Sequence, residues 1–193
     1  GSMMSPLLAG ANMCQMLVAS DLRKAYNGTL AVDGVSLQLG RGESVGLLGP
    51  NGAGKSTTIA MLSTLTRPDS GRVEFEGQNV LADPDPVRRA MGVVPQEIAL
   101  YPELSAQENL EFFGGLYGLR GDALKRAIDD ALDLVGLSER RRDQIKKYSG
   151  GMKRRINIAA ALLHDPKIVI MDEPTVGIDP QSRNHILDTV RRL

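Results

Sequence analysis

The sequence predicts an α/β fold interrupted by a helical lobe. Three observations carry that expectation. A glycine-rich turn at residues 49–57 separates a strand-like apolar run from a helical one. A second apolar run at 168–171 ends in two adjacent acids, Asp172 and Glu173. Between about 99 and 160 the apolar residues recur at helical spacing instead.

Composition sets the outer bounds. A length of 193 residues suits about one domain with a lobe added. With 42% hydrophobic and 24% charged residues there is material for a sizeable core, so a wholly disordered chain is excluded. Lys and Arg number 23, as do Asp and Glu, so the formal net charge is zero. That balance argues against a protein held to nucleic acid by bulk positive charge, and no nucleic-acid partner is expected. Cys14 is the only cysteine, which excludes a disulfide framework and a cysteine-based zinc site and fits a reducing compartment. Glycine, at 21 of 193 residues, is in excess, so the backbone needs room somewhere.

The first 16 residues read as a loose lead-in, with Gly1-Ser2 an expression scar. No positive region precedes Ala9-Gly10-Ala11 to make it a secretion signal, and no run reaches 18 apolar residues. A cytoplasmic protein is expected, touching a membrane only through a partner. Residues 17–98 read as an α/β core with an antiparallel β subdomain. Leu17–Tyr26 and Leu30–Leu39 alternate as two strands around an Asn27-Gly28 hairpin turn. Ser44–Leu48 reads as a short buried strand, Lys55–Leu65 as a helix closed before Pro68, and Arg72–Phe75 and Met91–Val94 as further strands. Residues 99–160 form the helical subdomain: Ser105-Ala106-Gln107-Glu108 is a capping box, and Leu124, Ala127, Ile128, Ala131, Leu132 and Val135 share a helical face stopped by Gly136. Residues 161–193 return to the core, with a strand at Ile168–Met171 and a helix from His185.

The segment Gly49-Pro50-Asn51-Gly52-Ala53-Gly54-Lys55-Ser56-Thr57 fits the phosphate-binding pattern G-x-x-x-x-G-K-[ST] in its strand-to-helix context. Glycines let the backbone turn its N–H groups toward a triphosphate, and the helix N-terminus adds its positive dipole end. Lys55 is placed to meet the β and γ phosphates and Ser56 to offer a hydroxyl to Mg²⁺. Thr57 stands where a dinucleotide fingerprint would need its third glycine, so that reading fails. Asp172, closing its strand, is a candidate Mg²⁺ ligand, and Glu173 a candidate to orient or deprotonate an attacking water. Together these predict an α/β P-loop NTPase (RecA-like) core with an antiparallel β subdomain and an inserted helical subdomain.

Ser149-Gly150-Gly151 opens a helical run at Lys153–Leu163. It is either an ordinary helix cap or a second anion site. One triphosphate cannot need both helix ends in one copy, and a two-fold dimer reconciles them, each nucleotide lying between the cradle of one copy and the Ser-Gly-Gly of the other. The basic clusters Arg140–Arg142, Lys146-Lys147 and Lys153–Arg155 read as solvated faces. His164 reads as a helix-end cap or dipole partner and His185 as an exposed side chain.

The set Gly49–Thr57, Gln96, Ser149-Gly150-Gly151, Asp172-Glu173 and Gly177-Ile178-Asp179-Pro180, in this order, resembles the ATP-binding subunit of ABC transporters from about residue 17 onward. The Ser-Gly-Gly-Met and Pro-Thr-Val-Gly forms are similar to those of exporter ATPases for drugs, antibiotics and sodium. The resemblance implies ATP and Mg²⁺ as ligands, Tyr26 stacking on adenine, Gln96 touching Mg²⁺ and water, Glu173 as the catalytic carboxylate, and Asp179 in a loop crossing a dimer interface. It implies a transmembrane permease as partner, on the inner face of the cell membrane, and an ATP-dependent homodimer or a pair with a second ATP-binding subunit. Tyr148 and Met152 depart from the family's usual Leu and Gln. The family's switch histidine follows one more strand, past the last residue here, so the chain reads as a truncated domain with weak or no ATPase activity of its own. Rival readings are an ABC-type ATPase acting on nucleic acid, ribosomes or iron–sulfur assembly, a P-loop GTPase or kinase, which would leave Ser149-Gly150-Gly151 unexplained, and a fragment that only binds.

Overall fold

A computed structural model describes residues 15–192. The lead-in expected over 1–16, Cys14 included, lies outside the described residues as far as position 14, and at Gln15 a strand has already begun. The chain divides into two compact units, one ending at Pro84 and one starting at Asp85.

The first unit is built on an antiparallel sheet. Strands β1 (Gln15–Tyr26) and β2 (Thr29–Gly40) pair across the Asn27-Gly28 turn, as the alternation predicted. β3 (Ser70–Phe75) pairs with the other edge of β1, and a two-residue β4 (Gln78–Asn79) follows it, giving the order β2-β1-β3-β4. Helix α1 (Lys55–Leu62) packs against β1 and β2. Leu17, Ala19, Leu22, Val32, Met61, Val73 and Phe75 are buried here. Ser44–Leu48 is not a strand: it has no ladder partner among the described residues, and Leu48 is 97% exposed. An apolar run proposes a strand, but the partner that makes it one is not encoded locally. Helix α1 also stops at Leu62, short of Leu65, because Thr64 takes a positive φ of 61° that ends the helical path.

The second unit opens with a short helix, α2 (Asp85–Arg89), that no periodicity announced. Strand β5 (Met91–Val94) lies parallel to β6 (Ile168–Met171) in the register Met91 to Ile168 through Val94 to Met171. Ile168 is buried and the rest of β6 half-buried, so this strand is less enclosed than its composition suggested. Between the strands run α3 (Ala106–Leu116), α4 (Gly121–Leu134) and α5 (Gly150–Leu162). Their shared core includes Leu110, Ile128, Leu132, Ile145 and Ile156. Each fully buried aliphatic side chain contributes about 1.5–3 kcal/mol. The opposite face of α5 places Ile158 and Ala161 against Val94 and Ile186, the latter on α6 (Pro180–Arg192). Helix α5 thus joins the lobe to the strand pair.

Local chemistry sets the helix ends. The capping box of α3 is formed: Ser105 accepts from the Glu108 N–H at 3.2 Å, and the Glu108 carboxylate accepts from the Ser105 N–H at 2.7 Å. Asn109, fully buried, donates to the Tyr101 and Ser105 carbonyls and accepts from the Tyr101 N–H at 2.8 Å, pinning the preceding loop.

Candidate functional site

In the first unit the glycine-rich loop runs without regular structure into α1. The Ala53 N–H donates to the Pro50 carbonyl at 3.2 Å and the Thr58 N–H to the Gly54 carbonyl at 2.8 Å. Gly54 is the N-cap of α1 at φ +78°, and a Cβ there would stand 2.3 Å from the Ala31 carbonyl oxygen of β2. Only glycine satisfies both conditions. Being glycine, it offers no side-chain cap, so no side chain of the N-cap competes for the first amides of α1. The Lys55 ammonium folds back onto the Gly49 and Pro50 carbonyls at 2.8 and 3.0 Å. Gly49, Asn51, Gly52 and Ser56 form an exposed rim, with Thr57 half-buried beneath. These features fit a phosphate group. They provide a left-handed glycine turn, a helix N-terminus without a side-chain cap, and a cation beside it. Tyr26 ends β1, 47% exposed as a residue, with the Lys24 ammonium 5.7 Å from its ring centroid.

In the second unit Gln96, Asp172 and Glu173 meet at the ends of β5 and β6, while Ser149, Gly150, Gly151 and Asp179 stand at the starts of α5 and α6. The Asp172 N–H donates to the Val94 carbonyl at 3.0 Å, extending the parallel ladder by one bond. Glu173 then takes φ +46°, a left-handed conformation that turns the chain out of the sheet direction. The Gln96 amide donates to the Glu173 carboxylate at 3.4 Å, so these two residues face each other. Ser149 is exposed and caps α5, accepting from the Met152 N–H at 3.2 Å. Helix α5 starts at Gly150, not at Lys153, so both glycines are in its first turn. Gly151 is buried, and a Cβ on it would stand 2.1 Å from the Ser182 hydroxyl oxygen and 3.4 Å from the Asp179 carboxylate. A Cβ on Gly150 would meet nothing within 4 Å. Asp179 is the N-terminal cap of α6, accepting from the Ser182 N–H at 2.9 Å, with Pro180 at the first helical position. That backbone bond holds the Asp179 carboxyl below its ordinary range.

Three expectations change. Arg154 is no solvated face; it is 3% exposed, and its guanidinium donates to the backbone carbonyls of Pro95, Gln96, Asp172, Glu173 and Pro174. Arg155 is half-buried and donates to the Val135 carbonyl at 2.9 Å. Arg140, Arg142, Lys146 and Lys147 do lie at the surface, with Arg140 paired to Asp143 and Lys146 to Glu103 at 2.6 Å each. The signal for Arg154 was present as phase: it falls three residues after Gly151 and four before Ile158, on the inward face of α5. His164 neither caps nor serves the helix dipole. Its Nε2 lies 3.2 Å from the Met91 carbonyl, its ring stacks on Tyr117 at 3.6 Å, and burial pushes its pKa down, opposing the cation a dipole role needs. His185 is exposed as read. Tyr148 buries its ring in the lobe core and donates its hydroxyl to the Arg140 carbonyl at 2.7 Å, so the departure from Leu keeps the apolar contact and adds a bond.

Among the described residues no cluster of three or more His, Cys, Asp or Glu could hold a metal unaided. Mg²⁺ does not need one, since it is held by one or two protein oxygens and by substrate phosphates. The Ser56 hydroxyl in the first unit and the Asp172 carboxylate in the second are each an oxygen of the kind that Mg²⁺ takes. No helix among the described residues is long and apolar enough to cross a membrane.

A family model described as ABC transporter matches residues 32–176. Over 179 residues, 92% of this chain and 57% of the relative, it is 58% identical to a linearmycin resistance ATP-binding protein of Bacillus subtilis (strain 168). A daunorubicin/doxorubicin resistance ATP-binding protein of Streptomyces peucetius is 46% identical over 90% of this chain and 53% of its own length. The chain thus spans about half the length of these curated relatives. Among solved structures, a Clostridium perfringens protein described as part of an ABC transporter complex superposes with a TM-score of 0.83 at 29% identity, covering 92% of this chain and 73% of that one. A dimeric, post-hydrolysis ATP-binding cassette bound to ADP and Pi gives 0.81 at 28% identity, covering 92% and 82%.

Proposed function

The chain belongs to the ABC transporter family, as an ATP-binding domain with the P-loop fold, and from that premise we propose that it binds and hydrolyses Mg·ATP to drive export of a drug, antibiotic or ion through a separate membrane permease. The observation that carries the reading is Gly54, whose positive φ and close approach to Ala31 admit only glycine at the start of α1. In this reading 17–98 is the nucleotide-binding core, 99–160 the helical subdomain carrying the signature and 161–193 a return to the core. Tyr26 stacks on adenine, and Gly49–Thr57 grip the phosphates through backbone amides and the Lys55 ammonium. The Lys55 contacts to two carbonyls are exchanged for phosphate oxygens, a stronger charge-assisted pairing. Ser56, Asp172 and the Gln96 amide would hold Mg²⁺, which when bound neutralises developing charge on the phosphates. Glu173 accepts the proton of the attacking water, and Gln96 orients that water beside it. The chemistry rests on positioning and electrostatics.

Gly150 supports a role for the signature beyond capping. Its side-chain direction is open, yet the helix accepts glycine there, which suits close approach of a phosphate to the Ser149-Gly150-Gly151 amides. That phosphate is the γ-phosphate held by a second copy, or by a second ATP-binding subunit, so that two loaded copies close and hydrolysis releases them. The resistance and export names of the relatives support an exporter. Exposed Tyr101, Phe112, Leu116 and Tyr117 on the helical lobe are the apolar surface we assign to the permease, and docking there would hold the protein at the inner face of the membrane.

The test is a pair of substitutions measured by calorimetry and phosphate release in the full-length protein. Lys55→Ala should weaken Mg·ATP binding by about tenfold or more, the loss of a charge-assisted contact. Glu173→Gln should keep ATP affinity while hydrolysis falls at least about a hundredfold and an ATP-bound dimer accumulates. Unchanged affinity in the first, or normal turnover in the second, overturns the reading.

A further inference from the structure

Arg154 lies in the second unit and, among the described residues, forms no ion pair within 4.0 Å, although the Asp172 carboxylate is near enough to act on it. Its guanidinium carries five N–H donors, and five backbone carbonyls receive them. Nε donates to Pro174 at 3.0 Å, Nη1 to Gln96 at 2.9 Å and to Pro95, and Nη2 to Asp172 at 2.9 Å and Glu173 at 3.1 Å. Two of these carbonyls follow β5 and three follow β6. The two segments are 76 positions apart in the chain at the nearest, from Gln96 to Asp172, and no ladder bond joins them beyond that of Asp172 to Val94.

We propose that Arg154 is a positioning residue that ties the Gln96 segment to the 172–174 turn and so holds the Gln96 amide against the Glu173 carboxylate. The inference rests on the proposed roles of Gln96 and Glu173. A planar fork with every donor satisfied fixes both the distance and the relative orientation of the two segments, which one hydrogen bond cannot do. It also stabilises the turn at Glu173, whose left-handed backbone needs outside support. Burial makes the arrangement strict: a guanidinium 3% exposed has no water to replace a lost partner. Because the fork originates on α5, the helix that Ser149 caps, a displacement of that helix moves the Gln96 and Glu173 segments together. Lysine would keep the charge and lose the geometry, having three donors on a single nitrogen.

Arg154→Lys in the full-length protein tests this in two ways. Hydrogen exchange at the amides of Ala99, Asp172 and Val176 should quicken together, by about tenfold, while amides within α4 keep the wild-type rate. Turnover per ATP-binding site, normalised by the calorimetric stoichiometry, should fall about tenfold to a hundredfold with ATP affinity within about twofold of wild type. A merely structural residue would instead lower the stoichiometry and leave turnover per site intact. If R154K does not fold, the wild-type Arg154 Nε–H resonance decides, since the tie requires its protection from solvent exchange. Exchange unchanged at all three amides, quickened equally in α4, or normal turnover in folded R154K overturns the inference and leaves the function standing. A wild-type protein that binds no ATP or does not hydrolyse it overturns the functional reading, and with it this role.

Discussion

His164 shows how much a single side chain can depend on its protonation state. Among the described residues only one of its ring nitrogens is served: Nε2 meets the Met91 carbonyl, and Nδ1 is buried with no partner. The ring also lies flat on Tyr117 at 3.6 Å. Burial holds its pKa below the ordinary value of 6.5, so the unfolded chain takes up a proton at a higher pH than the folded one does. The stability this site provides is therefore present above about pH 6.5 and is lost as pH falls through the lowered value. His164→Gln keeps a donor for Met91 and removes the titration. Thermal unfolding from about pH 7 down to about pH 5 should fall less steeply in that variant than in the wild type. At this scale the sequence was readable where residue type alone decides, as with Gly54, Lys55 and the acids after β6. It was misleading where burial decides. Arg154 stands between two other basic residues and takes its surroundings from carbonyls on distant segments, which composition cannot register.

The elements most faithfully written in the sequence are those closed by local bonds. Helix α3 is one: Ser105 and Glu108 satisfy each other's backbone donors, and the spacing alone announces them. The Glu108 carboxyl is held below its usual range by the Ser105 bonds, so this cap persists above the ordinary carboxylate range and weakens as pH falls through the lowered value. Ser105→Ala should cost about 1 kcal/mol, visible as a lower urea midpoint with an unchanged slope. Elements defined by distant partners were harder to read. Ser44–Leu48 has strand composition and no strand partner among the described residues, whereas β5 and β6 are shorter still and become strands through each other. Helix α5 was read from its fourth residue on, because its opening glycines look like loop until Ser149 is recognised as the cap.

For the whole molecule, the 23 basic and 23 acidic residues balance, so net charge supplies no long-range pull on a polyanion. The exposed surface that stands out is the aromatic one on the helical lobe, where Tyr101 and Phe112 meet edge to face at 5.0 Å and Leu116 is 69% exposed. If the permease sits there, Leu116→Asp should lower co-purification of the membrane subunit by about tenfold while ATP affinity of the isolated protein stays unchanged. Equal recovery of the permease would remove this surface from the interface. Nothing in the chain's charge or helix pattern pointed to that patch in advance, because single aromatic residues at helical spacing are as often core as surface.

Glu173 stands in a backbone conformation that suits glycine or asparagine better than a long acid, at φ +46°. Selection for heat resistance alone, with activity unrewarded, should therefore replace it early. Glu173→Gly is expected to be neutral or stabilising by up to about 1 kcal/mol, where most losses of a half-buried side chain weaken a protein. The acid survives at that position against the preference of its own main chain, and an evolutionary experiment run without ATP dependence would let the preference win.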